Sequence, residues 1–136
     1  MRLLWAIDHG LQKTSKLMGS TLGMTGPQRL ALRLIGRFPG ISAGRLAGIL
    51  HLHPSTLTGV LHRLETRGWV ERQRAPGDGR RALLGLTPLG RRLDTRTPGT
   101  IETAVEGALR KLTPAQVRAA RLVLETLSLE LREITR

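Results

Sequence analysis

The chain has 136 residues, enough for one ordinary domain with a real core, and it carries a net charge of +12 with no cysteine. The lack of cysteine excludes a disulfide framework, a thiolate metal site and a cysteine redox sensor. No apolar run approaches the roughly 18 residues of a membrane span, and no signal peptide is visible. We therefore expect a cytoplasmic protein without a membrane partner.

The positive charge is concentrated in the middle of the chain. Residues 26–96 contain thirteen Arg against four acidic residues, a net +9, whereas residues 1–25 contribute +2 and residues 97–136 only +1. Such an excess predicts an anionic partner, with nucleic acid first and an acidic membrane surface second. Nineteen of the 22 basic residues are Arg, whose guanidinium group suits bidentate contacts with phosphate or guanine.

Two helices are predicted before residue 40. Residues 2–18 keep one apolar face, with Trp5 beside it, and residues 19–23 are predicted to form a loop. Residues 25–28 have the T-x-x-Q pattern of a capping box and open a helix that runs to about Phe38. In this helix Arg29, Arg33 and Arg37 form a basic ridge without an acidic neighbour, which favours an anion contact or a carboxylate partner elsewhere in the chain.

A helix-turn-helix is predicted next. Ser42 is placed to cap a short helix at residues 43–50, residues 51–53 form a turn, and Pro54 begins a second helix that Gly68 ends. That second helix has an apolar stripe made of Leu57, Leu61 and Leu64 and widened by Val60. Its other surface is small, polar and basic, which a deep groove of DNA admits. An ordinary solvated amphipathic helix has the same pattern, but the flanking segments favour DNA contact.

A β-hairpin is predicted next, because apolar and polar residues now alternate at every second position. Residues 69–74 and 82–86 are predicted strands, and the segment APGDGRR between them is a turn with a basic tip. Such a wing can insert arginine into the narrow minor groove. Asp78 lies two residues from Arg80 and is interpreted as the group that orients it.

The C-terminal part is again helical. Residues 87–88 cap a helix that Pro98 and Gly99 end or kink, and the pattern leaves open one kinked helix or two. A second T-x-x-Q box at residues 113–116 opens the last helix, whose apolar residues keep a heptad spacing. We predict that this seam, with Leu122 and Leu129 on a second face, binds a partner chain; a helix sunk in its own core is the alternative. The seam consists of Val117, Ala120, Leu124, Leu127, Leu131 and Ile134.

Neither a metal site nor catalysis is indicated. His9, His51, His53 and His62 have no clustered carboxylates or thiols that would complete a tetrahedral metal site. No carboxylate pair, Ser–His–Asp spacing or phosphate-binding glycine loop is present. We therefore expect no cofactor, no metal and no enzymatic activity.

The order of these elements resembles the MarR-type (multiple antibiotic resistance) transcriptional regulators. The resemblance covers nearly all 136 residues and is most specific at residues 42–93, in SAGRLAGIL, PSTLTGVLHRLETRGWVER and DGRRALLGLTPLGRRL. It implies a mainly α fold with a small β-hairpin wing, a winged helix-turn-helix with long N- and C-terminal dimerisation helices. The implied parts are a dimerisation helix and loop at residues 1–25, a DNA-binding region at 26–93 and dimerisation helices at 94–136. It also favours one kinked helix around Pro98.

The resemblance implies a homodimer that binds a palindromic site on double-stranded DNA, with residues 54–67 as the recognition helix and Arg80, held by Asp78, in the minor groove. It also implies release by a small-molecule effector. We predict that the DNA-binding residues are Ser55, Thr56, Thr58, His62, Arg63, Arg67, Arg72, Arg74, Arg80 and Arg81. The predicted ligand-binding residues are Trp5, His9, Gln12, Arg29 and Arg33. Besides the last helix (Val117, Leu124, Leu127, Leu131 and Ile134), the predicted dimerisation residues are Leu4, Ile7 and Leu11.

Two positions depart from the family pattern. His53 stands at a cap position where the family often has Asp, so we expect weaker capping or a phosphate contact. Gly59 stands where larger polar side chains are common, so base recognition there is expected to be looser. The leading hypothesis is a sequence-specific repressor or regulator. The alternatives are a sequence-neutral architectural DNA-binding protein and a winged helix that contacts acidic protein partners.

Overall fold

The computed structural model describes residues 1–134, and for residues 78–81 it describes the backbone alone. Its helices are α1 (Arg2–Leu22), α2 (Gly26–Arg37), α3 (Ala43–Leu50), α4 (Pro54–Thr66), α5 (Pro88–Leu93), α6 (Ile101–Leu109) and α7 (Pro114–Ile134). Its strands are β1 (Ile41–Ser42), β2 (Val70–Ala75) and β3 (Asp78–Leu86). These elements form two compact units, Met1–Thr100 and Ile101–Arg136. The mainly helical fold class is confirmed, whereas the functional division at residues 25/26 and 93/94 stays a prediction.

The first helix is longer than its apolar pattern predicts. The expected loop at residues 19–23 is wrong for residues 19–22, because α1 continues to Leu22. The hydroxyls of Ser20 and Thr21 both donate to the Leu17 carbonyl at 2.9 Å, so these polar residues bond within the last turn instead of interrupting it. Gly23 ends the helix with a left-handed φ of 70°, a conformation that glycine adopts without steric cost.

The predicted caps of α2 and α3 are confirmed. At the start of α2, the Thr25 backbone N–H donates to Gln28 Oε1 at 3.0 Å, which closes the capping box. The Gly26 N–H donates to Ser15 Oγ at 2.8 Å and joins this helix start to α1. The Ser42 side chain accepts from the Arg45 N–H at the start of α3. The turn after α3 includes His51, which has a φ of 52°.

The sheet has three antiparallel strands in the order β1-β3-β2, one strand more than the predicted hairpin. β1 pairs Ile41 with Leu84, and two residues are too few to produce a periodic pattern in the sequence. β3 begins at Asp78, four residues before the predicted position, and the register shifts between Arg74 and Ala75. The turn between the two strands is therefore shorter than the seven-residue tip expected.

One hydrophobic core joins α2, α3, α4 and the sheet. The helices contribute residues that are almost fully removed from water, namely Ala31, Leu32, Ile35, Leu46, Leu57, Leu61 and Leu64. The loop before α2 adds Met24, and the sheet side adds Ile41, Trp69, Val70, Leu84 and Leu86. The predicted Leu57–Leu61–Leu64 stripe is therefore confirmed as the inner face of α4.

The basic ridge of α2 has a partly structural role. Arg29 is only 2% exposed, and its guanidinium group donates to the carbonyls of Leu93 at 2.7 Å and Thr95 at 2.5 Å. Arg33 Nη1 donates to Asp94 Oδ1 at 2.6 Å. The carboxylate partner that the ridge lacked locally is thus found 61 residues away.

These contacts explain why α5 is short. Helix α5 ends at Leu93 and α6 begins at Ile101, so the expectation of one helix kinked at Pro98 is wrong. The carbonyls of Leu93 and Thr95 accept from Arg29, and the Asp94 side chain is bound to Arg33. In a continuous helix the two carbonyls would accept from backbone N–H groups. Here the Arg29 side chain takes the place of those donors, so the chain can leave the helix without leaving the carbonyls unpaired. Gly99, with a φ of 75°, adds a turn conformation.

The second unit contains α6 and α7. The capping box at the start of α7 is confirmed, with the Thr113 N–H donating to Gln116 Oε1 at 2.8 Å and the Gln116 N–H to Thr113 Oγ1 at 3.3 Å. On the surface of α7, Arg121 Nε donates to Glu125 Oε1 at 2.7 Å, and this bond raises the pKa of Arg121. So exposed a pair contributes little to stability. Within the described chain, the helices fall short of the length and apolarity that a membrane crossing requires.

We predict that Gly90→Ala destabilises the first unit. A Cβ atom at position 90 would lie 1.9 Å from the Trp69 carbonyl oxygen, so α5 and the segment before β2 must move apart. Overpacking of this kind costs about 1–3 kcal/mol. Chemical denaturation measures the free energy of unfolding. The matched control is Gly48→Ala, because a Cβ there meets nothing within 4 Å. Equal stability of the two variants would contradict the close contact.

Candidate nucleic-acid interface

The orientation of α4 follows from its buried stripe. Leu57, Leu61 and Leu64 are at most 2% exposed, so the opposite side of the helix must face solvent. At about 100° per residue, positions 55, 59, 62 and 66 lie opposite that stripe. All four are exposed. A helix held in this way presents one fixed row of residues to a partner.

His53 is the N-cap of α4. Its Nδ1 accepts from the Ser55 N–H at 3.3 Å and lies 2.8 Å from Ser55 Oγ. The His53 side chain thus supplies the acceptor at the start of α4. The predicted contact between the His53 ring and a phosphate stays a prediction.

Two hydroxyl groups of α4 form hydrogen bonds inside the helix. Thr58 Oγ1 donates to the Pro54 carbonyl at 2.9 Å, and Thr66 Oγ1 donates to the His62 carbonyl at 2.7 Å. Each of these bonds runs back by one turn. The hydroxyls therefore keep their acceptor lone pairs, but their protons are already bonded.

Two arginines of this helix carry charge that is not neutralised nearby. Arg63 and Arg67 are exposed, and neither has a carboxylate within ion-pair distance among the side chains that the structure describes. The Arg67 guanidinium carbon lies 5.3 Å from the centre of the Trp69 ring, a cation–π distance that limits its movement. Both arginines and His62 line a cleft of about 460 Å³ beside Thr25 at the start of α2.

The wing begins with a contact to α4. Arg72 on β2 is bonded to Glu65 on α4, so one of the predicted phosphate contacts is paired in the free chain. Arg74 is exposed. The side chains of Asp78, Arg80 and Arg81 lie outside the described part of the chain, and the orienting role of Asp78 stays a prediction.

The predicted ligand-binding residues fall into two environments. Trp5, His9 and Gln12 are exposed along α1, at a spacing of four and three residues. Arg29 and Arg33 instead bond the segment at residues 93–95. A ligand at the arginines would have to compete with these internal acceptors. The ligand-binding prediction is otherwise untested.

The predicted dimerisation residues are mostly exposed in the single chain. On α1, Leu4, Ile7 and Leu11 face solvent. On α7, Leu124 and Leu131 are 56% and 54% exposed, Ile134 is 81% exposed, and Val117 and Leu127 are half-buried. Exposure of large apolar side chains to water is energetically unfavourable. Their positions are therefore consistent with the predicted contact with a partner chain.

The sequence did not predict two of these contacts, which are Arg33 to Asp94 and Arg72 to Glu65, whereas it did place His53 at the cap position. Only the first had a signal, the lack of an acid near the α2 ridge. Across the described residues, no three His, Cys, Asp or Glu side chains are grouped closely enough to hold a metal ion.

Comparison with known proteins gives matches in sequence and in fold. Residues 22–81 match the model of the MarR family. The HTH-type transcriptional repressor Rv2887 of Mycobacterium tuberculosis is 32% identical over 125 residues, 92% of this chain and 90% of the relative. The organic hydroperoxide resistance transcriptional regulator of Bacillus subtilis is 34% identical over 102 residues, 73% of this chain and 69% of the relative.

Solved structures agree with these matches. The structure of Rv2887, a MarR family protein, in complex with salicylic acid has a TM-score of 0.59 at 32% identity and covers 92% of this chain and 93% of its own. The MepR–DNA complex of S. aureus has a TM-score of 0.76 at 19% identity, with 96% of each chain covered, which shows a shared fold. With 32% identity to a named repressor over nine-tenths of both chains, this chain belongs to the MarR family, whose members are DNA-binding transcriptional regulators and not enzymes.

Proposed function

We propose that this chain is a repressor that binds a palindromic operator as a homodimer and is released by a small-molecule effector. The observation that supports this most directly is the outer face of α4. Its first half carries only small side chains, at Ser55 and Gly59, and the face is flanked by Arg63 and Arg67, which have no described carboxylate partner. Such a face suits the major groove, where α4 would supply base contacts and the arginines would bind phosphates.

The proposed contacts divide by chemistry. Ser55, Thr56, Thr58 and His62 approach base edges, and Arg63, Arg67 and Arg74 set the register on the backbone. Further along the hairpin, Arg80 enters the minor groove and Arg81 binds phosphate. Arg72 reaches a phosphate only by loosening its bond to Glu65, so we expect it to contribute least.

The exposed seam of α7 supports the homodimer. An apolar stripe with heptad spacing associates with an identical stripe through knobs-into-holes packing, and identical surfaces pair about a two-fold axis. Two copies would then present two α4 helices to half-sites about one helical turn apart, ~34–36 Å. This spacing is what makes a palindrome the matching operator.

The proposed effector is a small aromatic acid. The Rv2887 structure contains salicylic acid, and this chain has two arginines, Arg29 and Arg33, among its predicted ligand residues. A carboxylate that pairs with Arg33 would replace Asp94 and free the segment after α5. The effector weakens DNA binding only by its different affinity for the bound and released states.

Selection of DNA from a random pool tests the function. We expect a palindrome that the protein prefers over random DNA by ~10³-fold or more. Competition binding with the selected duplex and shuffled DNA measures the ratio. A ratio near one would contradict the proposal and support the sequence-neutral architectural binder. No DNA binding at moderate salt would support a winged helix used for protein contact.

We predict that Arg63→Ala and Arg67→Ala each weaken binding to specific and random DNA alike. Each lost phosphate contact should lower the slope of log K against log[salt] by about one and the affinity by about fivefold. Fluorescence anisotropy over a range of salt concentrations measures both. Arg118→Ala on α7 is the matched control, since it removes an exposed arginine from the other unit. An unchanged slope in both α4 variants would contradict their phosphate contacts.

We predict that the double variant Leu124→Glu, Leu131→Glu is monomeric. Two carboxylates in an apolar seam would remain unpaired at its centre, and burial of an unpaired charge is strongly unfavourable. Sedimentation at micromolar concentration measures the state, and operator affinity should fall with it. Ala115→Glu is the control, because it adds a carboxylate to the first turn of the same helix away from the seam. A double variant that remains dimeric would place the interface elsewhere.

A further inference from the structure

The outer row of α4 has a bare position at its centre. Positions 55, 59, 62 and 66 form the row opposite the buried leucines, and Gly59 is the member without a side chain. It lies one turn after Ser55 and nearly one turn before His62. Whatever contacts the middle of this helix therefore meets backbone at Gly59.

The fold gives no reason for glycine at this position. A Cβ at residue 59 would meet nothing within 4 Å, and the backbone there has no positive φ that would require glycine. Glycine inside a helix is less favourable than alanine because it loses more conformational entropy on folding. A glycine that packing does not require, on a face turned outward, is explained by a partner whose atoms approach the backbone closely.

Hydroxyl groups near Gly59 already use their protons inside the helix. The Thr58 hydroxyl donates to the Pro54 carbonyl, and the Thr66 hydroxyl donates to the His62 carbonyl. The Ser55 hydroxyl lies 2.8 Å from His53 Nδ1. Among the described side chains, the His62 ring is the member of the row for which no hydrogen bond is found. At Gly59 itself the surface is bare backbone, and His62 and Arg63 follow three and four residues later.

The major groove offers one complement to such a surface. Thymine is the base whose major-groove edge carries a methyl group, at C5, and this methyl packs against small apolar surfaces. A hydroxyl that kept a free proton would favour an acceptor instead. The bare backbone of Gly59, together with the internal bonds of Thr58 and Thr66, therefore favours a methyl contact at this position.

We propose that Gly59 is a specificity-determining residue, whose bare backbone packs against a thymine methyl group in each half-site and brings His62 to the adjacent base edge. The proposal rests on the proposed function, since it requires α4 in the major groove of an operator. On the sequence alone, the lack of a side chain at Gly59 is expected to loosen base recognition. The present proposal is the opposite, because the lack of a side chain allows the close contact that selects thymine.

The first test uses the unaltered protein. Each thymine of the selected operator is replaced in turn, on both half-sites together, by deoxyuridine, which keeps every hydrogen-bonding group and removes only the methyl. We expect one symmetric position at which affinity falls about fourfold or more per half-site, the effect of losing one buried methyl group. If no thymine position shows a loss above twofold, the inference is wrong.

The second test separates recognition from stability. Gly59→Ala should raise the stability of the protein, because alanine favours the helix and its Cβ has free space. It should nevertheless lower operator affinity about tenfold, the size of one mismatched base pair. Its sensitivity to deoxyuridine at the identified position should also disappear. Gly48→Ala, an equally open helical glycine of α3, should retain both affinity and sensitivity.

The outcomes distinguish this inference from the proposed function. If the unaltered protein selects no operator, the proposed function fails. If it selects one but Gly59→Ala binds it as tightly, the function stands and the role of Gly59 is refuted. A Gly59→Ala protein that is less stable than the unaltered protein would refute the premise that the fold leaves position 59 open.

Discussion

The interface depends on the burial of three leucines on one side of α4. Removing a leucine side chain from water contributes about 1.5–3 kcal/mol, so Leu57, Leu61 and Leu64 together contribute an amount comparable to the whole stability of a small domain. Turning α4 by one residue would expose part of that stripe. The same burial therefore fixes the rotation of α4 about its axis, and with it the side chains that face outward. The outward residues themselves do not contribute to that orientation.

This separation of tasks extends to the charges. Several of the arginines that make the middle of the chain so basic serve the fold. Arg29 donates to carbonyls after α5, Arg33 pairs with Asp94, and Arg72 is bonded to Glu65. Exposed arginines that remain for a partner include Arg63 and Arg67 beside the outer face of α4 and Arg74 on β2. Net charge alone thus overstates the size of the basic surface, although it gives its sign and location correctly.

The features that could be predicted from the sequence are those that depend on contacts between residues close in the chain. Heptad and stripe spacing located the helices, and T-x-x-Q boxes and serine caps located their starts, because the groups that make these contacts are close in sequence. The features that were missed depend on distant partners. β1 exists because Ile41 meets Leu84, and α5 ends where it does because Arg29 and Arg33 bind residues about 60 positions later. No local pattern contains that information.

The hydrogen bonds of the α4 side chains could not be predicted from the sequence either. Composition suggested a helix rich in hydroxyl donors, yet the structure shows that the Thr58 and Thr66 protons bond backbone carbonyls one turn earlier. Phosphate contacts supply affinity without sequence information, so discrimination has to come from the few groups left and from shape. A helix with so few free donors can discriminate well only if its backbone comes close to the bases and if two copies are held at a fixed spacing. In the proposed complex, the bare position at Gly59 would supply the first condition at the centre of α4, and the exposed seam of α7 would supply the second in the C-terminal unit.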